Sequence, residues 1–195
     1  MSPRGRALGV AESYADADRS TVAGAVLRAD RALDGLAFSS ITVGGSDATD
    51  RVADLYDSLG REDVRYLLVA GIAPAWFNLL DLLALHDAVE RPVLSVSFEA
   101  SPGLGDALRE QFSGAALDAR RAVYERQPPR RPVEVNGETV YVRSVGLDDG
   151  EAVAVVRAFT PEGGRPEPLR VARLAARAGD DFRRTSDFGR ADDTR

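Results

Sequence analysis

Cysteine is absent from the 195-residue chain, which excludes disulfides, disulfide-linked partners and thiolate metal sites. Lysine is absent as well, so all 25 basic residues are arginine. Histidine occurs once, as His86, which rules out a histidine-built metal site and leaves no Ser-His-Asp triad at this spacing. No apolar run reaches the ~18 residues needed to cross a bilayer. The start, MSPRGRALGV, holds two arginines without an apolar h-region or cleavage site, so no signal peptide is expected. A cytoplasmic protein with no membrane partner is the expectation.

What remains is a chain with enough apolar content, 44%, to bury one core. Its 31 acids give a net charge of -6 and a pI near 4.9. Such a balance fits adaptation to high internal salt and equally a GC-rich codon bias, and both readings stay open. It does not advertise a polyanion partner, which usually calls for a basic patch.

Three short strands open the chain, over residues 6–10, 21–29 and 36–43, with a polar turn at 16–19. Their short links predict an antiparallel meander. A helix over 48–59 follows, with Val52, Leu55, Tyr56 and Leu59 on one face and Gly60 as its stop. The stretch VRYLLVAGIAPAWFNLLD then supplies a buried-type strand at 66–70, a Gly71–Pro74 turn and an apolar segment from 76 to 89. A second buried-type strand spans 92–98. This alternation calls for parallel strands with right-handed crossovers, and ligands bind at the carboxyl edge of such strands. Helices at 104–112 and 115–125, a proline-stiffened link, and a hairpin over 133–142 with an Asn136-Gly137 turn come next. Helices at 148–159 and 169–178 complete the domain, residues 1–180, and a frayed acidic and arginine-rich tail is expected over 181–195.

Carboxylates near strand ends are Glu12, Asp47, Asp81 and Glu99. Glu12 and Glu99 are candidates for a hard divalent ion if parallel pairing brings them together. Asp81 suits a helix cap or an arginine partner. Gly44-Gly45 lacks the spacing and the lysine of a phosphate loop, although the helix start beyond it could hold an anion. Trp76 and Phe77 could pack in the core or stack a base. Arg170, Arg173 and Arg177 fall on one helical stripe that could meet phosphates or neighbouring acids.

Taken together, RALGVAES, GGSDAT, LLVAGIAPAWFNLLD, RPVLSVSFEASP and PEPLRVARLAARA resemble an uncharacterised, mainly archaeal family, domain of unknown function ninety-nine. That family is similar to endonuclease V. The resemblance implies an α/β, ribonuclease H-like mixed sheet: three antiparallel strands, then parallel ones, helices on both faces, and a C-terminal hairpin and helices. It also implies a divalent-metal site of carboxylates at the ends of strand one and the central strand. Here those positions fall on Ala11 and Ala70, the latter followed by Gly71, and the lysine expected after the fifth strand is missing from Phe98-Glu99-Ala100. Adjacent strand residues face opposite ways, so Glu12 replaces a side chain at position 11 only across a bulge.

The expected function is therefore an endonuclease V-like domain that has lost its catalytic centre. It keeps a cleft for nucleic acid or a nucleotide at Ala11, Gly44, Ala70, Gly71, Trp76, Asn78, Arg170 and Arg173. One alternative is a Mg- or Mn-dependent endonuclease using Glu12 with Asp47 or Glu99. The other is a non-enzymatic scaffold for protein partners. The oligomeric state stays open.

Overall fold

A computed structural model of the chain describes residues 5–15 and 18–191, with side chains described to residue 185. The N-terminal four residues, positions 16–17 of the expected polar turn, and the last four residues lie outside it. Seven strands form one mixed sheet in the order β3-β2-β1-β4-β5-β7-β6. β1 (Arg6–Ser13), β2 (Arg19–Arg28) and β3 (Leu33–Thr42) make the antiparallel meander. β4 (Val64–Ala70) joins β1 in parallel, and β5 (Val93–Ser97) joins β4 in parallel. The Asn136-Gly137 hairpin of β6 (Arg131–Val135) and β7 (Glu138–Val145) continues the same sheet, β7 lying antiparallel to β5. Both turn residues take positive φ, 51° and 82°, as a two-residue turn matching strand twist requires.

Strand alternation divides the core between two faces. Leu8, Val10, Leu67 and Val69 turn toward α1 (Ala48–Leu59) and α3 (Leu82–Val89). Leu68, Leu94 and Val96 turn the other way, toward α6 (Asp149–Ala158) and α7 (Glu167–Ala191). α1 occupies the residues expected from its periodicity. The fold class is the mixed sheet expected, with helices on both faces.

The sequence differs from the structure in two places that matter. The apolar segment 76–89 is not one helix. A four-residue turn, α2 (Pro74–Phe77), precedes α3, and Ala75, Trp76 and Phe77 all take positive φ (44°, 55° and 61°). Asp81 then caps α3 by accepting from Leu83 and Ala84 N–H, and also pairs with Arg126. The last helix, in turn, runs on past residue 178. Asp180, 2% exposed, accepts from the Thr21 hydroxyl of β2 at 3.3 Å and pairs with Arg183 at 3.1 Å. That buried carboxylate anchors the helix beyond residue 178, where apolar content falls.

α7 approaches β1 unusually closely, because Gly9 has no side chain. A Cβ there would stand 2.2 Å from the Pro168 carbonyl carbon, far inside van der Waals contact. Gly9→Ala is expected to push α7 away and to lower stability by ~1–3 kcal/mol or more, read as a lower urea midpoint and melting temperature.

Candidate functional site

β1 and β3 both run antiparallel to β2, and β4 and β5 run parallel to β1. The ends of β1, β3, β4 and β5 therefore share one edge of the sheet. Two cavities meet there across Ala70, Gly71, Ser97 and Glu99. One, about 490 Å³, lies on the α7 face between Phe98 and Arg165, Arg170, Arg173 and Arg177. The other, about 360 Å³, lies on the opposite face between Ser95, Tyr141, Arg143, Arg130 and Tyr124 of α5 (Gly114–Glu125). Together they form a trough wrapping over the carboxyl edge of β4 and β5.

Five of its arginines, Arg130, Arg143, Arg165, Arg173 and Arg177, make no ion pair among the described residues. Four of them are held by neutral groups instead. Arg173 donates to the Glu12 carbonyl, Arg143 to the Pro128 carbonyl, and Arg130 to the Ser97 hydroxyl at 3.2 Å and the Ser101 carbonyl at 3.1 Å. Arg165 lies 4.0 Å over the Phe98 ring and Arg130 4.1 Å over Tyr141. Burial, followed by repulsion from Arg173 and Arg177, lowers the pKa of Arg165. Burial likewise lowers Arg143, with Arg130 adding to the effect against an opposing contribution from Tyr124. Cations crowded this way gain from an anionic ligand. Arg170 differs, since Glu167 pairs with it at 2.5 Å.

The acids do not converge on this edge. Glu12 follows the α1-facing parity of Val10, opposite to Ala11, and accepts from the Ser20 hydroxyl. The β1–β2 register runs regularly through Ala11↔Ala23 and Glu12↔Val22, so no bulge turns Glu12 into position 11. β4 also separates β1 from β5, and Glu99 stands exposed on the trough rim. Asp47 is committed to the β3–α1 loop. Among the described residues no three acidic or histidine side chains gather as metal ligands. A hard divalent ion needs several convergent oxygens, so the donor set at this edge does not fit one. His86 donates through Nδ1 to the Arg91 carbonyl at 2.7 Å, a structural role away from the trough.

Of the proposed cleft residues, Ala70, Gly71, Arg170 and Arg173 line the trough. Ala11, 3% exposed, is buried beneath α7 beside Ala172. Gly44, Trp76 and Asn78 form a second cluster at the β3 end of the edge. Gly44 N–H donates to the Ala75 carbonyl at 2.7 Å. The buried Asn78 amide donates to Thr42 O and Asp47 Oδ1 and accepts from Ala48 N–H at 2.9 Å, serving the start of α1. Arg130, Arg143 and Arg165 escaped the sequence reading because they come from a loop, a hairpin strand and the α6–α7 link. No shared period connects them.

The mixed sheet has a ribonuclease H-like fold, the fold of endonuclease V. Ciona intestinalis endonuclease V, solved with a DNA containing an inosine, matches with a TM-score of 0.60 at 10% identity, over 90% of this chain and 85% of that one. A protein of unknown function from Archaeoglobus fulgidus matches with a TM-score of 0.79 at 26% identity, over 90% and 98%. Residues 3–179 match the family described as Endonuclease dU, and the chain belongs to that family. A UPF0215 protein of Methanopyrus kandleri is 31% identical over 181 residues, 90% of this chain and 91% of that protein. No helix among the described residues is long and apolar enough to cross a membrane.

Asp47 carries a pH signature. Burial opposes its ionisation, but hydrogen bonds from Thr42 N–H, the Asn78 amide and the Thr42 hydroxyl outweigh it and hold the carboxyl below its ordinary value. A lowered folded-state pKa stabilises the fold above the unfolded value, and that contribution is lost as pH falls through the folded one. Wild type is therefore expected to lose stability below about pH 4 more steeply than Asp47→Asn, as melting temperatures across an acid series will show.

Proposed function

We propose that the trough is a nucleic-acid-binding cleft, in an endonuclease V-like domain whose carboxylate-clamped metal centre has been lost. The observation carrying this reading is the set of five arginines without acidic partners among the described residues, around one sheet edge in a chain whose net charge is -6. A protein so acidic has carboxylates to spare, and elsewhere its arginines use them: Arg6 with Asp34, Arg121 with Glu125, Arg131 with Asp149. Unpaired guanidinium groups beside an open trough suit phosphate oxygens, which accept their forked donors. Ala11 and Ala70 stand where the resemblance to endonuclease V implies ligand oxygens.

A second reading, cleavage at deoxyuridine, is favoured by the family's description as Endonuclease dU. Glu99, on the rim of both cavities, is the acid best placed for it.

Both readings are tested with single- and double-stranded DNA carrying a deoxyuridine or an inosine. Binding is expected to weaken as salt rises, and Arg165→Gln and Arg177→Gln should each weaken it while reducing the salt slope by about 1. Binding unaffected by either change would remove the proposal. No strand scission is expected with Mg or Mn. Scission by wild type that disappears in Glu99→Gln would replace the inactive reading with the second one.

A further inference from the structure

The cluster at the β3 end of the edge has features that α2 does not need for folding. Trp76 is 47% exposed, although it sits between buried Ala75 and Asn78. Three successive non-glycine residues, Ala75 to Phe77, are held in the left-handed region, a conformation that persists only where surroundings enforce it. The enforcement is visible. Arg120 of α5 donates to the Gly44 carbonyl at 2.5 Å and to the Phe77 carbonyl at 3.2 Å. Phe112 closes the back of the cluster, its ring centroid 5.5 Å from Trp76 and 5.8 Å from Phe77. Gly44 lets the indole lie against the loop, since a Cβ there would stand 3.0 Å from Trp76 Cε3. The indole is thus fixed from behind and open in front.

Its place is as informative as its exposure. Arg120 and Tyr124 are four apart on α5, on one helical face. Arg120 braces the aromatic cluster and Tyr124 lines the trough. The cluster therefore adjoins the trough at about one helical turn, ~5.4 Å along α5. Arg120 adds a cation, its guanidinium 3.9 Å over Phe112, that no carboxylate neutralises among the described residues.

We infer that Trp76 is a stacking platform for an unpaired base of the strand whose phosphates occupy the arginine trough. This rests on the nucleic-acid reading of the trough and adds the substrate class, a strand with at least one unstacked base. Every base offers a π-face to an indole, so the platform would hold it without reading its sequence.

Trp76 is the only tryptophan in the chain, so intrinsic emission reports this position alone. Full-length wild type is titrated with a short single-stranded oligothymidine, following Trp emission and, separately, anisotropy of the labelled strand. The expected result is quenching that saturates together with binding. Trp76→Ala should weaken binding roughly 5- to 150-fold, the span that stacking one base supplies, and Trp76→Phe should restore most of it. Emission unchanged at saturation, or Trp76→Ala binding as wild type does, would overturn the platform. If Arg165→Gln and Arg177→Gln still impair binding in that case, the trough reading survives alone, and the indole face is left to a protein surface. Failure of wild type to bind any strand overturns both.

Discussion

The close contact of α7 with β1 organises the edge that carries the candidate site. Gly9 admits the backbone at Pro168, and Ala11, Ala25 and Ala172 continue the contact with small side chains. Along α7, Leu169, Ala172, Ala176 and Asp180 are buried, a stripe at spacings of three and four that seats the helix. The stripe displaced by one residue is Arg170, Arg173 and Arg177. Once the first stripe is seated on β1 and β2, helical geometry brings the second over the end of β4, where it lines the larger cavity. Small residues in the contact thus determine where the cations are delivered. A bulkier face on β1 would lift the arginines off the edge.

Net charge and local charge diverge in this chain, and arginine makes the divergence tolerable. A guanidinium has five donors in a plane and can satisfy some of them with carbonyls while remaining fully charged. Arg130 does this against the Ser101 and Glu99 carbonyls, with the Ser97 hydroxyl as a third acceptor, while covering Tyr141. Lysine, a compact and strongly hydrated charge, would gain less from carbonyls and ring faces. A lysine-free chain can therefore fix cations at a half-buried edge without surrendering them to its abundant acids.

Much of the fold was legible because it rests on local periodicity. The α1 face of Val52 and Leu55, the apolar runs of β4 and β5, and the Asn136-Gly137 turn each announce their element within a few residues. What was not legible depends on distant partners. Nothing near Asp180 signals that the Thr21 hydroxyl, 159 residues away, will donate to it where α7 is buried against β2. The left-handed turn at Ala75 to Phe77 is imposed by Gly44 and Arg120 from other elements, against a local composition that reads as helix. The arginine stripe of α7 was visible as a pattern, but its choice between acids and an open cavity depends on each residue's surroundings: Arg170 pairs with Glu167, whereas Arg173 and Arg177 pair with no acid among the described residues. That Ala11 and Glu12 face opposite ways was readable from strand alternation, and the regular β1–β2 register keeps them so.

The arginines and the alanines at this edge belong to one electrostatic argument. A divalent cation ~8 Å from a single guanidinium is repelled by on the order of 4 kcal/mol at an effective dielectric of ~20. Several such groups around the trough oppose a bare ion unless clustered carboxylates offset them. Ala11 and Ala70 supply no oxygen, Glu12 faces the other side of the sheet, and Arg173 occupies the Glu12 carbonyl. The same field that disfavours the ion favours a phosphodiester, whose charge has the opposite sign and whose oxygens fit the guanidinium forks. An edge can be tuned to grip metal by acids or to grip phosphate by arginines, and each choice weakens the other. Here the described edge carries arginines and no cluster of acids, the combination on which the proposed phosphate reading rests.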